Sequence, residues 1–581
     1  MKTRKFFIIV MLVLIVLIAN AQQNWQWAIT NTCGDVTKYQ YGPVYVCTDR
    51  IGNIYATGYF STNQFCFGNI TLNSNLTNGD LNIFLVKFDP QGNVIWAVNP
   101  LQGTSVVNYP FCISVDSFCN VYIGGYFQDT ITFGNTALIT SDHEPFSCFI
   151  AKYDSSGNAL WAKAPTGNSL PTLYNLVVDN IGNLYVTGGY SDSIVFDTIK
   201  LIDDGTYNDF DDIFLVKYDS GGHVLWAKDY GGFYSDDGRG VSLDNFGNLY
   251  LLASFISDTI IFGNDTLYNA THNNNFTEYT DICLVKFNTN GHVIWAKSFG
   301  GDMDNMPEYI TNDSDGNIYI SGWYDSNSLI FGSDTLTNGT LSQKLFLVKL
   351  DSTGNAIWAK SAKVSNTNPS IPVFPVIKID NTNNYVYLSG EFACDSTTFG
   401  TYTLYNHNHN LTLNSDTTDL FFVKFDTSGN TIWAQDIGGD KYEYGSGMAI
   451  DNYENVYLTG TFQSPSITFG ATTLLNLSGN NMQVFLAKYG FTTGTTEPQK
   501  SSGVLLSPNP FTTQTILTLQ GSHTNPTLFI YNLLGQEVKT ITIGNYTQVT
   551  ITRDHLASGM YFYKVIDENN NILGIGKLIA E

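Results

Sequence analysis

Val241-Ser242-Leu243-Asp244-Asn245-Phe246-Gly247-Asn248-Leu249-Tyr250-Leu251-Leu252-Ala253, followed downstream by Ile282-Cys283-Leu284-Val285-Lys286-Phe287 and Val293-Ile294-Trp295-Ala296-Lys297, reads as four β-strands. The runs are short, rich in aromatic and β-branched residues, and show little helical periodicity. Gly and Asn in Asn245-Phe246-Gly247-Asn248 supply the left-handed backbone that a tight hairpin between the first two strands requires. A long loop through Phe262-Gly263 separates the second strand from the third.

This unit recurs along the chain. Trp-Ala occurs at Trp27, Trp96, Trp161, Trp226, Trp295, Trp358 and Trp433. Second strands begin at Asn53, Asn120, Asn183, Asn248, Asn317, Asn384 and Asn455. Phe-Gly marks the long loop at Phe67, Phe133, Phe262, Phe331, Phe399 and Phe469, with Phe196-Asp197 as the variant. The ends are offset. A lone fourth strand, Trp25-Gln26-Trp27-Ala28, precedes the first unit, and the last unit, ending Phe485-Leu486-Ala487-Lys488-Tyr489-Gly490, has none of its own.

Lending that strand to the last unit completes seven four-stranded sheets and removes two open edges, which would otherwise invite pairing with other chains. The expected fold class is all-β: a seven-bladed β-propeller over residues 22–490, closed by an N-terminal strand. In such a ring the short turns share one rim. The second-to-third loops and the blade-to-blade connections share the other, where binding is expected.

Composition agrees with this reading. The 581 residues are 43% hydrophobic and 14% aromatic, which argues against disorder. Lys+Arg is 27 against Asp+Glu 51, a formal net charge of −24 that disfavours nucleic acid as a partner. Residues 1–21 carry the pattern of a secretory signal peptide: basic Lys2, Arg4 and Lys5, an apolar run, then Ala19-Asn20-Ala21. No later segment is apolar enough to cross a bilayer as a helix. The eight cysteines show no zinc-site spacing; Cys112 and Cys119 flank one predicted hairpin and could pair.

The pattern Asp179-Asn180-Ile181-Gly182-Asn183-Leu184-Tyr185-Val186-Thr187-Gly188 resembles the bacterial β-propeller repeat (SBBP) family, as do the Trp-Ala-Lys strand and the connections Gly300-Gly301-Asp302 and Gly438-Gly439-Asp440. The resemblance covers about Gln22 to Gly490 and speaks for fold rather than activity. Asn383 and Glu454 replace the turn glycine in two units, and Asp197 replaces the loop glycine in a third. Sialidase chemistry is not supported: the aspartate-turn spacing differs, and the only arginines beyond the leader are Arg50, Arg239 and Arg553.

Periodicity changes after Gly490. Residues 491–503 read as a linker, and residues 504–581 as alternating strands divided by Gly and Asn turns, which predicts a small Ig-like β-sandwich. Leu506-Ser507-Pro508-Asn509-Pro510-Phe511, Leu528-Phe529-Ile530-Tyr531-Asn532-Leu533-Leu534-Gly535-Gln536-Glu537-Val538, Gly559-Met560-Tyr561-Phe562-Tyr563-Lys564-Val565 and Gly576-Lys577-Leu578-Ile579-Ala580-Glu581 closely resemble the type A sorting domain of the type IX secretion system of the Bacteroidota. That resemblance implies the secretion machinery as a partner, and a secreted or outer-membrane surface location.

Candidate chemistry is thinner. Lys87, Lys152, Lys217, Lys286, Lys349, Lys424 and Lys488 recur once per unit, and seven equivalent lysines point to structure rather than catalysis. The repeated tryptophans are read as packing at the outer blade edge. Asp237, Asp302, Asp304, Glu308, Asp440 and Glu443 would gather on the loop-rich rim as ligand-binding residues, with Asp203, Asp204, Asp209, Asp211 and Asp212 in one long loop. Such carboxylates would suit calcium, although a solvated acidic rim explains them as well. No other cofactor is indicated, and no metal ligand set can be named. The turn Asp313-Ser314-Asp315-Gly316-Asn317 has Tyr324 where an EF-hand loop needs Glu. No nucleophile elbow, His-Glu-x-x-His or phosphate loop is present.

The leading expectation is therefore a monomeric secreted scaffold that binds an extracellular protein or polysaccharide. A carboxylate-based glycan- or peptide-processing enzyme and a purely structural surface protein stand as alternatives.

Overall fold

The computed structural model describes residues 23–491, except 36–42, 75–79, 103–106, 141–145, 204–209, 272–278, 340–342, 366–374, 408–416 and 480. Beyond these it describes residues 504–580, except 508, 520–524, 533–536, 545, 555, 558 and 569–571. The expected leader and nearly all of the expected linker lie outside the described residues. Residues 23–491 and the described C-terminal residues form separate compact units.

The first unit contains seven four-stranded antiparallel sheets. Sheet 4 shows the pattern: Asp236–Leu243, Leu249–Phe255, Asp281–Phe287 and Val293–Phe299 pair in chain order. The second and third strands are buried along their whole length. The fourth strand is mostly half-buried, with Ile294 half exposed and Phe299 buried, as expected for a sheet covered on both faces except at its outer edge. Sheets 1, 2, 3, 5 and 6 open with Tyr45–Thr48, Tyr109–Val115, Thr172–Val178, Asn305–Asn312 and Val376–Ile379. Sheet 7 takes Glu443–Ile450, Val456–Phe462 and Gln483–Phe491, and its fourth strand is Gln23–Thr30 from the other end of the unit. Trp27 pairs with Lys488 and Thr30 with Phe485.

A single polar network repeats at the junctions between sheets. In sheet 4, Asp244 Oδ1 accepts the backbone N–H of Phe246 and Asn248 at 3.0 and 2.8 Å. Its Oδ2 accepts Asn248 Nδ2 at 2.8 Å and the Tyr250 hydroxyl at 3.2 Å. The Lys286 ammonium sits 3.7 Å from the same oxygen and 4.9 Å from the centre of the Tyr250 ring. It also donates to Ser352 O, 3.3 Å away in the third-to-fourth turn of sheet 5. Lys87, Lys152, Lys217 and Lys349 reach Ser155 O, Ser220 O, Thr289 O and Thr427 O of their own next sheets in the same way. Lys488 of sheet 7 donates to Pro90 O of sheet 1 at 3.1 Å. Lys424 of sheet 6 finds the Gln23 side chain instead, at 2.7 Å, because the fourth strand of sheet 7 begins there rather than arriving through a turn. The tryptophans follow the lysines across the junction: Trp96 and Trp161 donate to the Ser155 and Ser220 carbonyls at 3.0 and 3.2 Å. Trp295 lies flat against Gly354, whose φ of +77° and position, 2.9 Å from the ring for any added Cβ, both require glycine.

The first strand of each sheet lies against that of the next sheet, and the first strand of sheet 7 lies against that of sheet 1. Across the latter junction, Thr48 Oγ1 donates to Ile450 O at 3.0 Å and Asn452 Nδ2 to Arg50 O at 3.0 Å.

Three local features differ from the sequence reading or go beyond it. The long second-to-third loops each contain a two-stranded hairpin, such as Thr259–Phe262 with Asp265–Tyr268. Phe-Gly is its turn, with Phe262 buried and Gly263 at φ +64°; alternation over four residues is a weak signal beside the longer strands. Cys112 and Cys119 do not pair. Cys112 is buried on the first strand of sheet 2, whereas Cys119 occupies the left-handed turn position at φ +64°. Cys33 instead forms a disulfide with Cys66. Asn383 and Glu454 adopt the same positive φ as the glycines they replace, at +56° and +63°.

The C-terminal unit has a three-stranded sheet, Val504–Ser507, Gln514–Leu519 and Gln548–Thr552, and a four-stranded sheet, Glu537–Thr542, Thr527–Tyr531, Gly559–Ile566 and Ile572–Ala580. Leu517 and Ile551 of the first sheet share one core with Leu528, Ile530, Val565 and Leu578 of the second.

Because Lys286 joins two sheets and neutralises Asp244, Lys286→Ala is expected to lower the unfolding free energy of the protein by about 2 kcal/mol, the scale of a hydrogen bond to a charged group. Urea unfolding followed by tryptophan fluorescence checks this; an unchanged midpoint would show that the junction does not depend on the ammonium.

Candidate functional site

The seven first strands together line a cavity of about 630 Å³. A β-bulge shapes its wall. In sheets 2, 3, 4, 5 and 7 the register between the first and second strands slips by one residue, leaving Phe111, Tyr174, Arg239, Glu308 and Ser446 unpaired. All five line the cavity. A bulge inserts one residue against none on the partner strand and so re-aims a side chain. In sheets 4 and 7 glycines flank the bulge, at Gly238 and Gly240 and at Gly445 and Gly447. A Cβ on Gly238 would fall 2.0 Å from Thr187 Oγ1, so the space is already taken.

Arg239 is held on three sides. Its Nη2 donates to Asp237 Oδ2 at 3.0 Å, its Nε to Ser254 Oγ at 3.2 Å, and its guanidinium lies 4.5 Å from the centre of the Tyr174 ring. Glu308 accepts a hydrogen bond from Trp323 Nε1 at 3.2 Å. Burial pushes its carboxyl up to about 7, against the opposing pull of Arg239 and Trp323. Glu391, at the end of a second strand, is 2% exposed. Burial holds it well above the usual carboxylate range, and its Oε1 has no hydrogen-bond partner among the described residues. It lines the same cavity. Asp211 is pushed up to about 6 by burial and by the neighbouring Asp237.

The structure distributes the six acidic residues singled out from sequence rather than gathering them. Asp237 and Glu308 flank Arg239. Asp302 is exposed and accepts Asn327 N and Nδ2 at 2.8 and 2.7 Å. Asp304 accepts Thr280 N at 2.9 Å, and Asp440 is exposed between sheets 6 and 7. Glu443 is fully buried and accepts the N–H groups of Gly439 and Ser464 at 3.0 and 3.1 Å. Asp236 does the same for Ile256 and Ser257 in sheet 4, at 3.0 and 3.2 Å, so this acid fixes the start of a sheet. Asp204 and Asp209 lie outside the described residues. Asp313 accepts the N–H groups of Asp315 and Asn317, as its counterparts in other sheets do. Among the described residues no three His, Cys, Asp or Glu side chains are placed to hold a metal ion. Phe111, Tyr174, Arg239 and Ser446 were not singled out from sequence. The one written trace of them is the Gly-x-Gly at Gly238-Arg239-Gly240 and Gly445-Ser446-Gly447.

Comparison with known proteins identifies the tail. Residues 506–581 match the secretion system C-terminal sorting domain. The protein is thus a secreted protein exported by the type IX system and associated with the cell surface. Among the described residues no helix is long and apolar enough to cross a membrane. Over 457 residues the chain is 26% identical to an uncharacterized WD repeat-containing protein of Acanthamoeba polyphaga mimivirus, covering 67% of this chain and 32% of that protein. The chain therefore spans about a third of that relative's length. Solved structures that align include a fungal alcohol oxidase in complex with copper (10% identity, TM-score 0.36, 96% of this chain and 99% of that one). Another is the acylaminoacyl peptidase of Pyrococcus horikoshii (10% identity, TM-score 0.37, 84% and 59%). TM-scores this low carry no argument about function.

The buried acids set a pH dependence. Burial raises Asp236, Glu308 and Glu443 to about 7, and Asp281 and Asp325 to about 6. Their folded values exceed those of unfolded carboxyls, so the folded form holds more protons between about pH 4 and 7. The stabilisation is complete below the unfolded values and is lost as pH rises through 7. Asp219 and Asp302, held below the usual range by hydrogen bonds from His223 and Asn327, act oppositely and only at lower pH. The urea midpoint of the 23–491 unit is expected to be higher at pH 5 than at pH 8; the reverse order would contradict the buried state of these acids.

Proposed function

We propose that residues 22–490 form a seven-bladed β-propeller closed by Gln23–Thr30, preceded by a cleaved leader at 1–21 and joined by a linker, 491–503, to an Ig-like β-sandwich at 504–581. Its function is that of a surface-displayed or secreted scaffold, monomeric, which binds an extracellular protein or polysaccharide at the loop-rich face. The pairing of Gln23–Thr30 with Gln483–Phe491, the Lys488–Pro90 hydrogen bond and the contact between the first strands of sheets 7 and 1 support closure. The resemblance to the bacterial β-propeller repeat family agrees, as does the WD-repeat relative, whose repeat type builds propellers.

The observation that carries the binding reading is the cavity into which bulges turn Phe111, Tyr174, Arg239, Glu308 and Ser446. A concavity that mixes apolar and aromatic side chains with convergent polar groups can serve as a ligand site, and the volume of about 630 Å³ falls within the common range. A second reading, a carboxylate-based glycan- or peptide-processing enzyme, is favoured by one observation: Glu308 at about 7 suits a general acid at neutral pH.

Two outcomes are expected. Removing Gln23–Thr30 should expose the edge of Gln483–Phe491 and cause concentration-dependent self-association in analytical ultracentrifugation; a variant that stays monomeric would argue against closure. For a glycan or protein captured on an array by residues 22–581, Tyr174→Ala should weaken affinity about tenfold, or ~1.4 kcal/mol. Gln91→Ala, at an exposed third-to-fourth turn on the opposite rim, should change it little. Equal affinities for both variants would remove the cavity from the binding site, and loss of product formation in Glu308→Gln would favour the enzyme.

A further inference from the structure

The cavity and its margin hold more acid than base. Glu308 and Glu391 line it, and Asp237 and Asp211 stand beside Arg239. The cations facing them are Arg239, already bound to Asp237, Ser254 and the Tyr174 ring, and Lys378, whose ammonium lies 5.0 Å from the centre of the Tyr309 ring. Among the described residues, the acceptors that stay unsatisfied here include Glu391 Oε1 on the wall and Asp237 Oδ1 at its margin. A buried acceptor without a donor costs roughly 1–3 kcal/mol. Glu391 is also out of pattern, because the equivalent second-strand positions carry Tyr59, Tyr126, Gly189, Ser254, Trp323 and Thr461, none of them acidic.

What would complete this site is a compact group with several N–H donors and a positive charge, carried on a body that can lie on aromatic faces. A hydroxyl supplies one donor and no charge. A guanidinium or ammonium supplies both, but the planar slot against Tyr174 is already filled by Arg239. We propose that the cavity binds a ligand through a primary ammonium group, paired with Glu391 and Glu308 on neighbouring sheets, with the ligand body along the cavity wall that includes Phe111. A lysine side chain and an amino sugar share this chemistry. The inference rests on the cavity being the binding site, and it adds the class of ligand.

Ammonium binding has a signature that a neutral ligand lacks. Burial keeps Glu308 near 7 and holds Glu391 well above the usual carboxylate range, so Glu308 is largely protonated at pH 6.5, and a docked ammonium displaces its proton. The other charged or titratable groups around Glu308 are Arg239 and Asp237 from sheet 4, Tyr174 from sheet 3, Tyr45 from sheet 1, Tyr309 from its own sheet and Lys378 from sheet 6. Tyr45 and Tyr174 are raised by burial and stay neutral over this range. The protons released therefore come from the carboxyls.

The test is calorimetric titration of residues 22–581 at pH 6.5, in two buffers of different protonation enthalpy, with D-glucosamine and with Nα-acetyl-lysine amide. N-acetylglucosamine and Nα-acetyl-norleucine amide serve as neutral counterparts. At least one amine should bind at least tenfold tighter than its counterpart, with net proton release, and which amine does so distinguishes the two sources. Glu391→Gln should weaken that binding at least tenfold; Glu308→Gln should weaken it and reduce the protons released. Gln91→Ala, at an exposed third-to-fourth turn, should leave both unchanged. Circular dichroism verifies the fold of each variant, and Glu308→Gln decides the matter where Glu391→Gln unfolds. Absence of binding by both amines, equal binding of the neutral counterparts, or binding without proton release overturns the proposal. Selective binding of neutral glycans would overturn it while leaving the scaffold reading intact.

Discussion

The interaction on which the array depends is the ammonium of one lysine per sheet, which is shared between its own sheet and the next. Lys286 leans on Asp244 and Tyr250 within sheet 4 and donates outward to Ser352 O of sheet 5. A buried cation is costly unless its donors are used. Here the aspartate, the aromatic face and the carbonyl across the junction use them together. The consequence is geometric. Apolar packing between sheets tolerates sliding, but a donor that must meet one particular carbonyl fixes how far each sheet is rotated against its neighbour. The Asp-x-x-Gly-Asn-x-Tyr pattern is the sequence of this joint: aspartate as acceptor, glycine to turn back, asparagine to brace the carboxylate, tyrosine to cover the lysine.

With rotation fixed, the first strands converge and their irregularities come to face one another. The bulges at Phe111, Tyr174, Arg239, Glu308 and Ser446 lie in corresponding places of five different sheets. A single bulge would only bend a strand. Five at one level put chemically different side chains around one space while the repeated framework behind them remains the same. Uniformity therefore belongs to the junctions and variety to the cavity, which lets one repeat hold a site that is not itself repeated.

The legibility of each part follows from this division. Strand order, the seven lysines and the displaced strand at Trp27 were readable because repetition multiplies weak signals, and the tail was readable because its strand blocks stand in order at the end. The hairpins at Phe262-Gly263 and its relatives look like loops in the sequence, since four-residue strands leave too little alternation to recognise. The acidic residues were grouped by their position in connections, yet Glu443 and Asp236 spend their oxygens on backbone N–H groups of their own sheets. The cavity side chains were not legible because a bulge is defined by its partner strand. Nothing in the residues around Tyr174 announces the extra one, and only the paired glycines beside Arg239 and Ser446 leave a mark.

The disulfide between Cys33 and Cys66 bears on how the molecule is put together. Gln23–Thr30 is made first, yet its partner Gln483–Phe491 is made after every other strand of its unit. An untethered segment would have to wander until that late arrival and then find it. Fastened to the hairpin of sheet 1, which forms early and locally, the waiting segment keeps its place beside the gap. A distant encounter thereby becomes a short final step, and the oxidising surroundings met after export supply the chemistry that ties the knot.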